Sequence, residues 1–376
     1  MDADAEARCA RGTIGACATR KRARRGRDGA KVRALELTEM TIGDVVEVMR
    51  ESAHETFPTT TGTMISVRGV FDAFVRALVD GLAKPEEPAK WCGALDVALA
   101  DSSTAETVGL IKLPQRRSRE THEEMNVLDE LFRTPATALS DTATPLVECA
   151  PDVSIADAVA MLDERDVHAV FTTTDDGERA ILTAEDILCY LCPIRDALRE
   201  VLTFDARAFN ALFDAPKDTF LAIRQEHNMD LTAADVMWWM FRQSVNAVAF
   251  FESTFTVPGD VPLYGSVFVE LSVRDLLDLT PDTFHVVFET DPVAYIATKR
   301  TGVFVHTHTA EHARDVTHDE DQERAARDAL AALAEKNPAR LPKRFYIFHR
   351  DVVRAFTPLS LLRALVHAHA TTEKEK

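Results

Sequence analysis

TPLVECAPDVSIADAVAMLDERDVHAVFTTTDDGERAILTAEDILCYLCP, residues 144–193, is the stretch whose reading decides the fold. Leu146-Val147-Glu148-Cys149 reads as a short strand, broken by Pro151 and Asp152. Ser154 then opens a helix with Asp157 three residues on, the spacing at which side chain and backbone satisfy each other's free donors. Ala158, Val159, Met161 and Leu162 recur at helical period and make one apolar face. His168 to Thr172 is a second strand, Asp175-Asp176-Gly177 a hairpin turn, and Ala180-Ile181-Leu182 a third strand. Thr183-Ala184-Glu185-Asp186 opens a final helix. The order is βαββα, an α+β unit.

The same order recurs on either side. Over 220–279, Phe220 to Ile223 is a strand, Thr232-Ala233-Ala234-Asp235 caps a helix, and Asn246 to Phe250 is the second strand. Val267 to Leu271 is the third, and Ser272-Val273-Arg274-Asp275 opens the last helix. Over 32–82, Thr41-Ile42-Gly43-Asp44 is the cap, Thr56 to Thr59 a strand, Thr61-Gly62 a turn, and Ser66-Val67-Arg68-Gly69 the last helix start. A second register for this copy would use 94–100 and 108–113 as its hairpin. Over 301–367, Val303 to His306 is a strand, Thr317 and Glu320 cap a helix to Lys336, and Phe345 to Ala355 is a tight hairpin. Thr357-Pro358-Leu359-Ser360 then opens a helix over Leu361–Val366. The domains expected are a disordered basic tail, 1–31; repeat one, 32–82; an insertion or linker, 83–132; repeat two, 133–193; repeat three, 215–280; and repeat four, 281–367.

Composition narrows the function. The chain has 376 residues, 46% hydrophobic and 28% charged, enough to bury sizeable cores. Its net charge of -18 argues against nucleic acid as a partner, because phosphates would be repelled. Residues 1–33 run the other way, with ten Lys/Arg against four Asp/Glu. The run Arg20 to Arg27 reads as a disordered basic tail, a nuclear signal or an organelle transit segment, the last opposed by Asp2, Asp4 and Glu6. No stretch of about 18 apolar residues spans a membrane. The expected location is cytoplasmic or nuclear, with organelle targeting left open. Six cysteines without a paired framework fit a reducing compartment. Cys189 and Cys192 form a CxxC inside an apolar helical run, which reads as structure before metal or redox chemistry. His306, His308, His312 and His318 sit among acids and read as a loop before a metal site. No P-loop, GxSxG or GxGxxG occurs, so the chain is expected not to be an enzyme and to need no catalytic cofactor.

With its caps and strand order, residues 144–193 resemble the CBS domain. Four copies in one chain are similar to the gamma subunit of the AMP-activated protein kinase and its plant and algal relatives. The resemblance implies four CBS-type repeats paired into two Bateman modules, one with two and three with four. It implies a regulatory ligand, AMP, ADP or ATP, and a protein partner such as a kinase complex, with a homodimer as a further arrangement. In ligand-binding members the Ser/Thr-x-x-Asp motif at the last helix holds the nucleotide. The carboxylate accepts ribose hydroxyls, and the helix start faces phosphate. That carries over to Thr183 and Asp186, and to Ser272 and Asp275. It fails where Gly69 and Ser360 replace the Asp. His168, with His54 and Asn246 at equivalent places, and Arg274, with Arg68, are phosphate candidates. Ordinary helix caps account for the same residues, and a ligand-free adaptor is the competing function.

Overall fold

The computed structural model describes residues 12–21, 34–51, 55–82, 129–164, 167, 169–174, 177–213, 221–225, 232–252, 269–280, 283, 286–290, 292–299, 306–307, 319–336, 341, 344–349 and 352–374. The chain divides into two compact units. One gathers Met1–Arg33, Leu146–Lys217 and Phe304–Lys376; the other gathers Ala34–Pro145 and Asp218–Val303.

In the first unit, Glu148 bridges Phe171 in parallel, with Cys149 N–H donating to Phe171 O at 2.7 Å. Ala169–Thr173 then pairs antiparallel with Arg179–Thr183. Gly177 turns the hairpin at φ +78°, a conformation only glycine adopts without strain. The Ile155–Glu164 helix lies between them in sequence, capped as expected by Ser154 and Asp157. The region of the expected fourth copy repeats the scheme. His306–Thr307 runs parallel to Ile347–Phe348, and Phe345–His349 pairs antiparallel with Val352–Phe356. The following helix, Pro358–Lys374, is much longer than the expected Leu361–Val366. It buries Leu361, Leu362, Leu365 and Val366, and packs on the Ile155–Glu164 and Ala184–Leu191 helices.

Between these regions stands a helix the repeat pattern does not contain, Ile194–Val201. It buries Ile194, Ala197, Leu198 and Val201 along one face against the Asp319–Glu335 helix. Arg327 locks the join. Its guanidinium donates to Leu202 O at 2.7 Å and Phe204 O at 2.8 Å, and lies 4.0 Å from the Phe209 ring centre.

Within the stretch expected as a basic tail, residues 14–21 are helical. Thr13 bridges Ser154, Ile14 N–H donates to Val153 O at 3.0 Å, and Gly15 N–H to Pro151 O at 2.8 Å. Ile14, Cys17, Ala18 and Lys21 are spaced to share one helical face, and all four are buried. Gly15 is required by contact. A Cβ there would stand 2.8 Å from Pro151 Cβ.

In the second unit, Leu35 bridges Thr59 in parallel, and Thr56–Pro58 pairs antiparallel with Thr63–Ser66. Leu221–Gln225 runs parallel to Val248–Glu252, and Ala247–Phe250 pairs antiparallel with Val269–Ser272. Capping boxes open the helices Ile42–Glu51 (Thr41 with Asp44) and Ala233–Arg242 (Thr232 with Asp235). Residues 133–145, expected with repeat two, belong here. Pro135 bridges Thr41, and Thr144–Pro145 adds a strand to Thr63–Met64. Residues 281–303, expected with repeat four, also fall here, and the Pro292–Lys299 helix packs on Val269–Ser272.

The compact units bring residues 34–82 together with 218–280, and residues 146–193 together with 304–367. Val67–Leu82 buries Val70, Phe71 and Phe74, and packs on Ala233–Arg242, which buries Met237 and Met240.

Candidate functional site

The last-helix starts divide by what stands at the motif's fourth position. At the start of the Val67–Leu82 helix, Gly69 N–H donates to Ser66 Oγ at 3.0 Å. A Cβ on Gly69 would meet Thr142 Oγ1 at 2.9 Å and Thr142 O at 3.2 Å. No aspartate fits there. At the start of the Pro358–Lys374 helix, Ser360 N–H donates to Thr357 Oγ1 at 3.2 Å, and the two hydroxyls lie 3.1 Å apart, a neutral cap.

After the Val269–Ser272 strand, Ser272 N–H and Oγ–H donate to Asp275 Oδ2 at 2.8 and 2.7 Å. The expected helix is here only a 3-10 turn, Asp275–Asp278. The Tyr295 hydroxyl reaches Asp275 O at 3.4 Å, and its ring is fully buried. Burial first, then the charges of Asp275 and Asp278, push the Tyr295 phenol up, so it stays a neutral donor. Ser272 and Asp275 are both buried. Arg274 turns to Met49 O at 3.5 Å. Arg68 binds Asp72 at 2.8 Å and caps the carbonyls of Met240 and Phe241. The two phosphate candidates thus donate to helix-end carbonyls. Arg50, which the sequence reading passed over, does the same at Leu277 O, at 3.1 and 2.7 Å.

The most developed site stands at Thr183 and Asp186. Thr183 is the N-cap of the Ala184–Leu191 helix, and Asp186 completes its capping box. Asp186 Oδ2 accepts from Thr183 N–H at 3.1 Å, Thr183 Oγ1–H at 2.8 Å and the Lys21 ammonium at 2.8 Å. Lys21 also donates to Ile181 O at 2.7 Å. The Cys17 thiol lies 3.8 Å from Asp186 O. The side chains of Lys21 and Asp186 are each 2% exposed. Burial works to raise the Asp186 pKa. The charge and hydrogen bond of Lys21, followed by the bonds from Thr183, outweigh it and hold the carboxyl below its usual range. A buried carboxylate kept ionised by a cation from a distant segment is thus the central feature. Sequence reading missed Lys21. The signal was there, an Ile14, Cys17, Ala18, Lys21 spacing behind Thr13, but it sat in a run dominated by Arg and Gly.

His168, His54, the insertion up to residue 128, and His308, His312 and His318 lie outside the described residues. Cys189 and Cys192 form no disulfide, and Cys192 caps the helix by donating N–H to Leu188 O. Among the described residues no group of His, Cys, Asp and Glu is placed to hold a metal ion. No described helix is long and apolar enough to cross a membrane.

No family model matches the chain. No curated protein matches it either. Among solved structures it is similar to a protein of Methanocaldococcus jannaschii described as a proposed archaeal homologue of g-AMPK, at 11% identity and TM-score 0.46, over 90% of this chain and 99% of that one. It is also similar to the CBS domain of a CBS domain containing membrane protein from Sphaerobacter thermophilus, at 18% identity and TM-score 0.28, over 49% and 91%. A third likeness is to an uncharacterised conserved protein from Pyrococcus horikoshii, at 12% identity and TM-score 0.31, over 58% and 79%.

Proposed function

We propose that the chain is a non-enzymatic regulatory protein of four CBS repeats in two modules, which takes an adenine nucleotide at repeat two and acts on a protein partner such as a kinase. What supports four repeats is the recurrence of a parallel contact, a helix and an antiparallel hairpin at Leu35–Ser66, Glu148–Thr183, Leu221–Ser272 and His306–Phe356. One observation carries the ligand reading. Asp186 is an ionised carboxylate at the start of an eight-residue helix, neutralised by a cation that is not part of its own repeat. A carboxylate there suits the paired hydroxyls of a ribose. Thr183 and the helix start favour phosphate beside it.

The competing reading, a ligand-free adaptor, draws support from repeat three, where Asp275 is buried beneath Tyr295 and opens only a 3-10 turn. Calorimetry with AMP, ADP and ATP separates the two. Nucleotide binding to the wild type that Asp186→Asn weakens by about tenfold or more, while Ser360→Ala leaves it unchanged, supports the sensor. No binding at millimolar concentration in either the wild type or a Lys21-substituted chain leaves the adaptor.

A further inference from the structure

We infer that the helix over residues 14–21 is a tethered cover of the repeat-two site, so that its docking and nucleotide binding at Asp186 exclude one another; this rests on reading Asp186 as the nucleotide's acceptor. The Lys21 ammonium is 2.8 Å from Asp186 Oδ2, on the oxygen that Thr183 also uses. A ribose diol and the ammonium compete for one carboxylate. The second ammonium contact, to Ile181 O at 2.7 Å, ties the cover to the last strand before the helix. The cover is a shaped fit, since Gly15 leaves no room for a side chain over Pro151, and Ile14, Cys17 and Ala18 are 0–1% exposed. The helix is also separate in sequence from the strands and helices of residues 146–191, so its departure removes none of them. Binding energy spent on displacing the cover lowers the apparent affinity by the undocked fraction, and by linkage the ligand must loosen the cover to the same degree.

The test uses the full chain in three forms: wild type, Lys21→Gln, and Gly15→Val. The last removes the fit without touching Lys21 or Asp186. AMP and ATP affinities are measured by calorimetry, and exchange of the 14–21 amides by mass spectrometry with and without nucleotide. The expected result is that both variants bind nucleotide about tenfold or more tighter than wild type, and that nucleotide speeds exchange of 14–21 in the wild type. Equal affinities in all three chains with unchanged exchange overturn the cover while leaving the nucleotide reading intact. No nucleotide binding by any of the three, with circular dichroism showing them folded, overturns the nucleotide reading and the cover with it. Tighter binding by Gly15→Val alone supports the cover even if Lys21→Gln fails to fold.

Discussion

Replacing Lys21 with Met removes the charge and keeps most of the stem's bulk. Asp186 then stays buried with the two Thr183 donors but without its ammonium. Breaking one side of a buried pair costs about 3–5 kcal/mol. The protein has two ways to lessen that. It can take up a proton, which for a carboxyl of ordinary pKa costs about 4 kcal/mol at pH 7 and about 1.4 kcal/mol less for each unit the pH falls. Or it can release the 14–21 helix and let water reach the carboxylate. The loss in the first unit is therefore about 3–4 kcal/mol at pH 7, shrinking to about 1–2 kcal/mol at pH 5. The direction follows from the pKa. Without Lys21 the folded carboxyl titrates above its unfolded value, so the variant loses stability as pH rises. Replacing both residues, Lys21→Met with Asp186→Asn, restores most of the loss, since no buried charge remains. Urea unfolding should be followed by far-UV circular dichroism. Tryptophan fluorescence is blind here, because no tryptophan falls in the segments of the first unit. A variant within about 0.5 kcal/mol of wild type at pH 7, with 14–21 still protected from exchange, would refute the ion pair.

In the wild type the Asp186 pKa is lowered on folding, so its contribution to stability is complete above the ordinary carboxylate pKa of 3.8 and is lost as pH falls from there through the folded value. Unfolding midpoints of the first unit between pH 5 and pH 2.5 should show this fall, and a wild-type slope matched by Asp186→Asn would show that another group causes it. Gly69→Ala gains about 1 kcal/mol of helix propensity but drives a methyl into Thr142 at 2.9 Å; a net loss of about 1–2 kcal/mol is expected, partly recovered by Thr142→Ala. Trp238 and Trp239 report on that unit, and a Gly69→Ala chain as stable as wild type would show that Thr142 moves freely aside.

The local chemistry of the fold was legible. Thr41 with Asp44, Ser154 with Asp157, Thr183 with Asp186 and Thr232 with Asp235 all cap helices, because a Ser/Thr-x-x-Asp spacing closes on its own backbone whatever surrounds it. The hairpin from Ala169 to Thr183 was legible for a similar reason. Its two strands pair across a short turn at Gly177, so the contacts are local. What failed is non-local. Nothing near Arg68 in sequence says that its guanidinium will end on the carbonyls of Met240 and Phe241. The same spacing that marks a phosphate ligand marks a helix clamp. Lys21 and Asp186 are 165 residues apart, and neither looks unusual alone.

Because the first unit is gathered from three separated stretches, no single cut of the gene releases it whole. On the ribosome, the segment carrying Lys21 emerges long before Asp186. The Ala184–Leu191 helix in turn must wait for Pro358–Lys374 to supply its packing partner. Such long-range closure slows folding and leaves apolar faces exposed during synthesis. Truncated chains that begin at residue 34 or stop near residue 300 would both leave this unit incomplete, one without its lysine and the other without its last helix. A fragment-expression series should therefore lose soluble protein when 304–376 is removed, and keep it, with Asp186 uncovered, when the chain begins at residue 34.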